Sequence, residues 1–143
     1  MTFVLDPQLE KDCHHFGKMK LCQVLLMNDR QYPWFILVPE RDGVREIYQL
    51  ERDDQISFLI ESNLLSKALE GLFKPDKLNV AALGNVVPQL HIHHIVRYKN
   101  DACWPKPVWG QKPPVPYAAA ELEELKQRFK EAMGANFKPR LDN

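Results

Sequence analysis

The segment Pro88-Gln89-Leu90-His91-Ile92-His93-His94-Ile95-Val96-Arg97 places three of the chain's five histidines within four positions. On a β-strand, side chains alternate with period two. Gln89, His91, His93 and Ile95 then share one face, and Leu90, Ile92, His94 and Val96 share the other. A row of nitrogen-bearing side chains opposite an apolar face is wasteful for packing alone, because each buried polar group needs a partner. The row therefore reads as a site, and two chemistries suit it. A neutral imidazole can attack phosphorus while its neighbours stabilise the non-bridging oxygens and protonate the leaving group. Alternatively, His91 and His93 can present two nitrogens to Zn²⁺.

Upstream of this segment, residues 78–83 read as a strand ending in the turn signal Gly84-Asn85. Earlier still, the apolar runs 21–27 and 34–38 flank the polar turn Asn28-Asp29-Arg30-Gln31, the pattern of an antiparallel pair. Between these strands Ile56, Leu59, Ile60, Leu64 and Ala68 recur at helical spacing behind Glu51, Asp53 and Asp54, which predicts the main amphipathic helix, with Gly71 and Pro75 bracketing its exit. At the N-terminus Asp6-Pro7 has the form of a helix cap and first position. Leu9, Cys13 and Phe16 would form a short stripe before Gly17, leaving Cys13, His14 and His15 at a solvated helix end.

Downstream, Pro105, Pro107, Pro113, Pro114 and Pro116 beside Trp104 and Trp109 make 103–116 an ordered, aromatic-pinned loop. Residues 118–133 form a helix with Leu122, Leu125, Phe129 and Ala132 on one face, and the tail 134–143 is expected to be mobile. Hairpin-linked strands with helices outside them predict an α+β class: an antiparallel sheet with one long central helix and a C-terminal helix. The whole is a single domain over 1–143, with its core at about 3–110.

At 143 residues the chain has the size of one domain, and 19 basic residues cancel 19 acidic ones to a net charge of +0. No summed field exists to hold a nucleic-acid polymer, while near-neutrality favours self-association. No run approaches the ~18 apolar residues of a membrane span, so no membrane partner is expected. The N-terminus lacks a secretory pattern, and Cys13, Cys22 and Cys103 are odd in number without Cys-x-x-Cys spacing. Reduced thiols and a cytoplasmic location follow as expectations.

The histidine segment resembles the motif of the HIT, or histidine triad, family, His-φ-His-φ-His-φ-φ with φ apolar. Placing Gln89 at the first histidine matches Leu90, His91, Ile92, His93 and Ile95, whereas placing His91 there matches only His91, Ile92, His93 and Val96. The first register is taken. The resemblance covers about residues 21–110, and the segments Tyr32 to Pro39 and Trp104 to Gly110 look like a bacterial, diadenosine polyphosphate hydrolase-like branch.

This likeness implies a nucleotide hydrolase or transferase acting at the α-phosphate of a dinucleoside polyphosphate or phosphoramidate through a nucleotidyl-histidine intermediate. It carries the nucleophile onto His91 and the third histidine onto His93, with Gln89 and His93 flanking the phosphate oxygens. Asn85 would contact phosphate or leaving group, Asn28 the ribose, and Leu26 the base. His94 is expected to be packed or at the rim. The likeness implies a homodimer and no cofactor. A non-catalytic nucleotide sensor and a Zn²⁺ hydrolase stand as alternatives, the latter without a nameable third ligand.

Overall fold

The described residues are 2–141 of a computed structural model. In chain order the elements are α1 (Pro7–Asp12), β1 (Cys13–Lys18), β2 (Cys22–Met27), β3 (Trp34–Pro39), α2 (Arg52–Phe73), β4 (Lys77–Ala81), β5 (Ile92–Arg97), α3 (Ala119–Met133) and β6 (Lys138–Pro139). The six strands form one antiparallel sheet in the order β4-β5-β3-β2-β1-β6, the α+β architecture expected. The hairpin β2–β3 sits near its middle, with Leu25 opposite Ile36 and Leu26 opposite Phe35. Register then carries Ile36 to His93 and Phe35 to His94 on β5.

Directly opposed residues in an antiparallel sheet share a face, so these rows define two cores. On one face Leu26, Phe35, Leu37, Ile92 and Val96 meet Phe58, Leu65 and Leu69 of α2 and Leu125, Phe129 and Met133 of α3. Phe35 and Phe129 stack there at 4.8 Å, and burying one such side chain is worth roughly 1.5–3 kcal/mol. On the other face Leu25, Trp34, Ile36 and Ile95 are covered by Leu5, Leu9, Val87 and Val108, supplied by the N-terminal arm, α1 and the segments flanking β5.

Three expectations are corrected. The first helix stops at Asp12: Asp6 caps it by accepting the Gln8 N–H at 2.8 Å, but Cys13, His14, His15 and Phe16 continue as β1 against β2. Sheet pairing and the burial of Phe16 outweigh the helical spacing of Leu9, Cys13 and Phe16, so the two histidines lie in a strand. Secondly, the stripe of Ile56, Leu59 and Ile60 on α2 faces outward, each residue about half exposed or more.

The inward face of α2 is instead Phe58, Glu61, Ser62, Leu65 and Leu69. Two of these are polar and satisfied: the Glu61 carboxylate accepts the N–H groups of Leu21 and Cys22 at 2.8 and 3.0 Å, and the Ser62 hydroxyl bonds His94 at 2.7 Å. Helix α2 also runs through Gly71 and ends at Lys74, whose φ is 46°.

Thirdly, the tail docks. Phe137 is buried against Phe129, and β6 pairs with β1 over Gly17, where any Cβ would collide with the Lys138 carbonyl and the Phe137 ring. Residues 142–143 lie outside the described residues. No described helix is long and apolar enough to cross a membrane.

Candidate active site

Regular strand begins only at Ile92, so Gln89 and His91 lie in the irregular approach to β5. His91 nevertheless keeps its side chain beside that of His93, ring edge to ring face at 4.9 Å. Its Nδ1–H donates to the Gln89 backbone carbonyl at 2.7 Å. A carbonyl can only accept, so the proton is held on Nδ1 and the lone pair resides on Nε2. Nε2 has no protein partner among the described residues, and the ring lines a cavity of about 100 Å³ with Arg45, Gly84 and Asn85. Gly84 allows the turn to lie against the imidazole, since a Cβ there would sit 3.4 Å from His91 Cε1 and 2.7 Å from the Val87 carbonyl.

His93 is fixed on both sides. Trp34 Nε1–H donates to its Nδ1 at 3.0 Å, and its own Nε2–H donates to the Leu83 carbonyl at 3.0 Å. Burial pushes its pKa down to about 4, with the neighbouring His91 and His94 adding to the shift against the Leu83 hydrogen bond. It is therefore a neutral ring with no free nitrogen, wedged between His91 and Trp109, whose ring lies 5.0 Å away. Both ring nitrogens of His93, expected to flank a phosphate or to share a metal with His91, are thus paired with protein groups in this arrangement. Among the described residues no three His, Cys, Asp or Glu side chains converge as metal ligands.

Gln89 is likewise committed. Its Oε1 accepts the Asp6 N–H at 2.9 Å and its Nε2 donates to the Val4 carbonyl at 2.9 Å, so both ends of the amide grip the N-terminal arm while the residue lines the cavity wall. Strand alternation fails here because the strand has not yet started. Leu26 is fully buried on the helix-bearing face, opposite His93, and cannot touch a base bound at His91. Asn28 sits at the end of β2, where its Oδ1 accepts the Tyr117 N–H at 3.0 Å and pins the loop leading to α3. Asn85 does line the His91 cavity. His94 is fully buried on the helix face, held by Ser62 and by the Ile92 carbonyl, with its pKa lowered to about 4 by burial.

Sequence reading missed three participants. Arg45, an exposed residue in the loop before α2, lines the cavity, and a loop arginine carries no periodic or motif signal. Trp34 read simply as part of a strand. Trp109, taken to pin the proline-rich loop, also packs on His93 and Trp34. Trp104 keeps to the pinning role: Arg97 lies 5.7 Å from its ring and ties the loop through Asp101 and the Lys106 carbonyl, both at 2.8 Å. A larger cavity of about 650 Å³, between the β1–β2 turn, α2 and the tail, contains none of the motif residues.

The imidazole of His91, its tautomer fixed, thus lines a small cavity with Arg45, Gly84 and Asn85 just ahead of β5. The HIT domain family matches residues 8–100, and the chain belongs to that family. Among solved structures it is similar to a histidine triad protein from Marinobacter aquaeolei VT8, at 50% identity and TM-score 0.90, covering 93% of this chain and 97% of that one. A histidine triad protein from Bradyrhizobium japonicum shares 39% identity and TM-score 0.92, covering 94% of this chain and 100% of that one. One from Sinorhizobium meliloti 1021 shares 42% identity and TM-score 0.89, covering 91% and 96%. No curated protein matches the chain.

Proposed function

We propose that this protein is a cytoplasmic nucleotide hydrolase or transferase acting at the α-phosphate of a nucleoside phosphate conjugate through a nucleotidyl intermediate on His91. Its substrates would be those of the diadenosine polyphosphate hydrolase-like branch, dinucleoside polyphosphates or phosphoramidates. The observation that carries the reading is the hydrogen bond from His91 Nδ1 to the Gln89 carbonyl, which leaves the Nε2 lone pair available beside Arg45 and Asn85. Arg45 would hold phosphate oxygens through charge-assisted hydrogen bonds and Asn85 through its amide. His93, locked between Trp34 and Leu83, would keep the His91 ring in place by contact. Incubation with a dinucleoside polyphosphate, followed by alkaline quench and mass spectrometry, should show one nucleotidyl group on His91. Absence of the adduct together with retained nucleotide binding would favour the sensor reading.

A homodimer accompanies this proposal. Among the described residues, edge strand β4 has no neighbour on its outer side and exposes Val80, and α2 exposes Ile56, Leu59 and Ile60. An unpaired edge and an outward apolar stripe suit a second copy of the same neutral chain.

A further inference from the structure

We propose that among the described residues this site has none able to hand a proton to the departing group, and that it therefore selects nucleoside phosphates whose leaving group departs as a stable oxyanion. Phosphoric anhydrides would be cleaved; phosphoramidates and alkyl esters would not. The inference rests on nucleotidyl transfer to His91 and narrows its substrate class.

Each candidate donor is accounted for by its geometry. Gln89, standing at the first histidine position, carries an amide that does not titrate, and both its ends are bound to the N-terminal arm. His93 has one nitrogen proton, which is given to the Leu83 carbonyl, and its other nitrogen already accepts from Trp34. A second proton on His93 would displace the indole N–H in a site where burial holds the ring neutral. The Nδ1 proton of His91 is given to the Gln89 carbonyl on the side of the ring away from the attacking nitrogen. Arg45 does not release its proton in proteins. Asn85 donates hydrogen bonds without losing a proton. Glu46, the remaining titratable side chain on the cavity wall, is exposed and is removed in the experiment below.

The chemistry balances without a general acid. The His91 Nε2 lone pair forms the P–N bond as the bond from phosphorus to the leaving oxygen breaks, and that oxygen keeps the electron pair and the negative charge. Water then attacks phosphorus, the P–N electron pair returns to Nε2, and the water proton passes to solvent. An amine or alkoxide leaving group would need a proton during the first step, help that a positioned acid supplies at about 10²–10⁴-fold in rate.

The test compares kcat/KM across adenosine 5′-phosphate derivatives that differ only in leaving group: a diadenosine polyphosphate, the p-nitrophenyl ester, the phenyl ester and an amine phosphoramidate. The expected result is a steep fall as the leaving group becomes more basic, with the phenyl ester at least about 10²-fold below the p-nitrophenyl ester and no turnover of the phosphoramidate. Rates within about tenfold across the series, or a phosphoramidate cleaved like the anhydride, would overturn the proposal. Glu46→Gln should leave the ratio between the two phenolic esters unchanged. Loss of phenyl ester cleavage alone would identify Glu46 as the acid and overturn it too. Alkaline-quenched mass spectrometry with the p-nitrophenyl ester separates the two levels of claim. An adduct on His91 with a shallow rate series refutes this inference only, whereas no adduct and no turnover with any member refutes the reading beneath it as well.

Discussion

The indole N–H of Trp34 on β3 donates to Nδ1 of His93 on β5 at 3.0 Å, in the interior of the sheet face that carries the site. Together with the Leu83 carbonyl accepting at Nε2, this bond places the His93 proton on Nε2. Trp34→Phe keeps an aromatic ring but deletes the donor. The variant should lose about 1–3 kcal/mol of stability, as expected when a buried acceptor loses its partner. Urea unfolding measures that loss, and the ¹⁵N shift of His93 Nδ1 should move as that nitrogen loses its hydrogen bond, while the proton stays on Nε2 facing the Leu83 carbonyl.

Gln89 connects the arm to the site through three hydrogen bonds, two from its side chain and one at its carbonyl. Gln89→Ala removes only the side-chain pair, so His91 keeps its tautomer. Hydrogen exchange should show the Asp6 amide losing protection, while nucleotidyl transfer falls by less than about tenfold, far below the loss of at least about 10²–10³ expected for His91→Ala. Comparable losses in the two variants would assign Gln89 a direct part in the chemistry.

Gly84 is held by its neighbours rather than by a turn conformation. A methyl group there would meet the Val87 carbonyl at 2.7 Å and the His91 ring at 3.4 Å. Gly84→Ala should cost about 1–3 kcal/mol by overpacking. It should also slow adduct formation on His91 more than it weakens nucleotide binding, which rapid-quench kinetics and equilibrium titration can separate.

His93 and His94 are both kept neutral by burial, with pKa values lowered from 6.5 to about 4. As pH falls below the unfolded value near 6.5, the unfolded chain takes up protons that the native chain refuses. The stability linked to these groups is therefore complete above about pH 6.5, is lost progressively down to about pH 4, and declines no further below that on their account. Urea midpoints across this range should fall by an amount corresponding to a few kcal/mol. Equal midpoints at about pH 7 and pH 4.5 would contradict the burial of the pair.

The outward stripe on α2 makes a separable prediction. Leu59→Glu, on a residue 59% exposed, should leave thermal unfolding of the monomer unit intact and shift sedimentation equilibrium from dimer to monomer. A wild-type chain that sediments as a monomer at all concentrations would remove the homodimer from the proposal.

Local sequence determined the β2–β3 hairpin and the strands β4 and β5. Period-two alternation, a polar turn and a clustered motif are short-range patterns, and they survive in the pairing of Leu25 with Ile36 and of Ile36 with His93. The motif pointed to His91, and the Gly84-Asn85 turn lines the same cavity. What the sequence could not decide was partnership at long range. The inward side of α2 was misread because Glu61 and Ser62 are polar, and only folding brings the Leu21 and Cys22 amides and His94 to satisfy them. The tail was misread because its docking depends on Gly17, distant in sequence, which leaves room for β6. Gln89 bonds Val4 and Asp6, His93 bonds Trp34 and Leu83, and Asn28 gives its Oδ1 to Tyr117, none of which is near in sequence. A polar side chain forms whichever hydrogen bonds its folded surroundings offer, so residue type marked where the site lies and tertiary structure decided which nitrogen in it was left free.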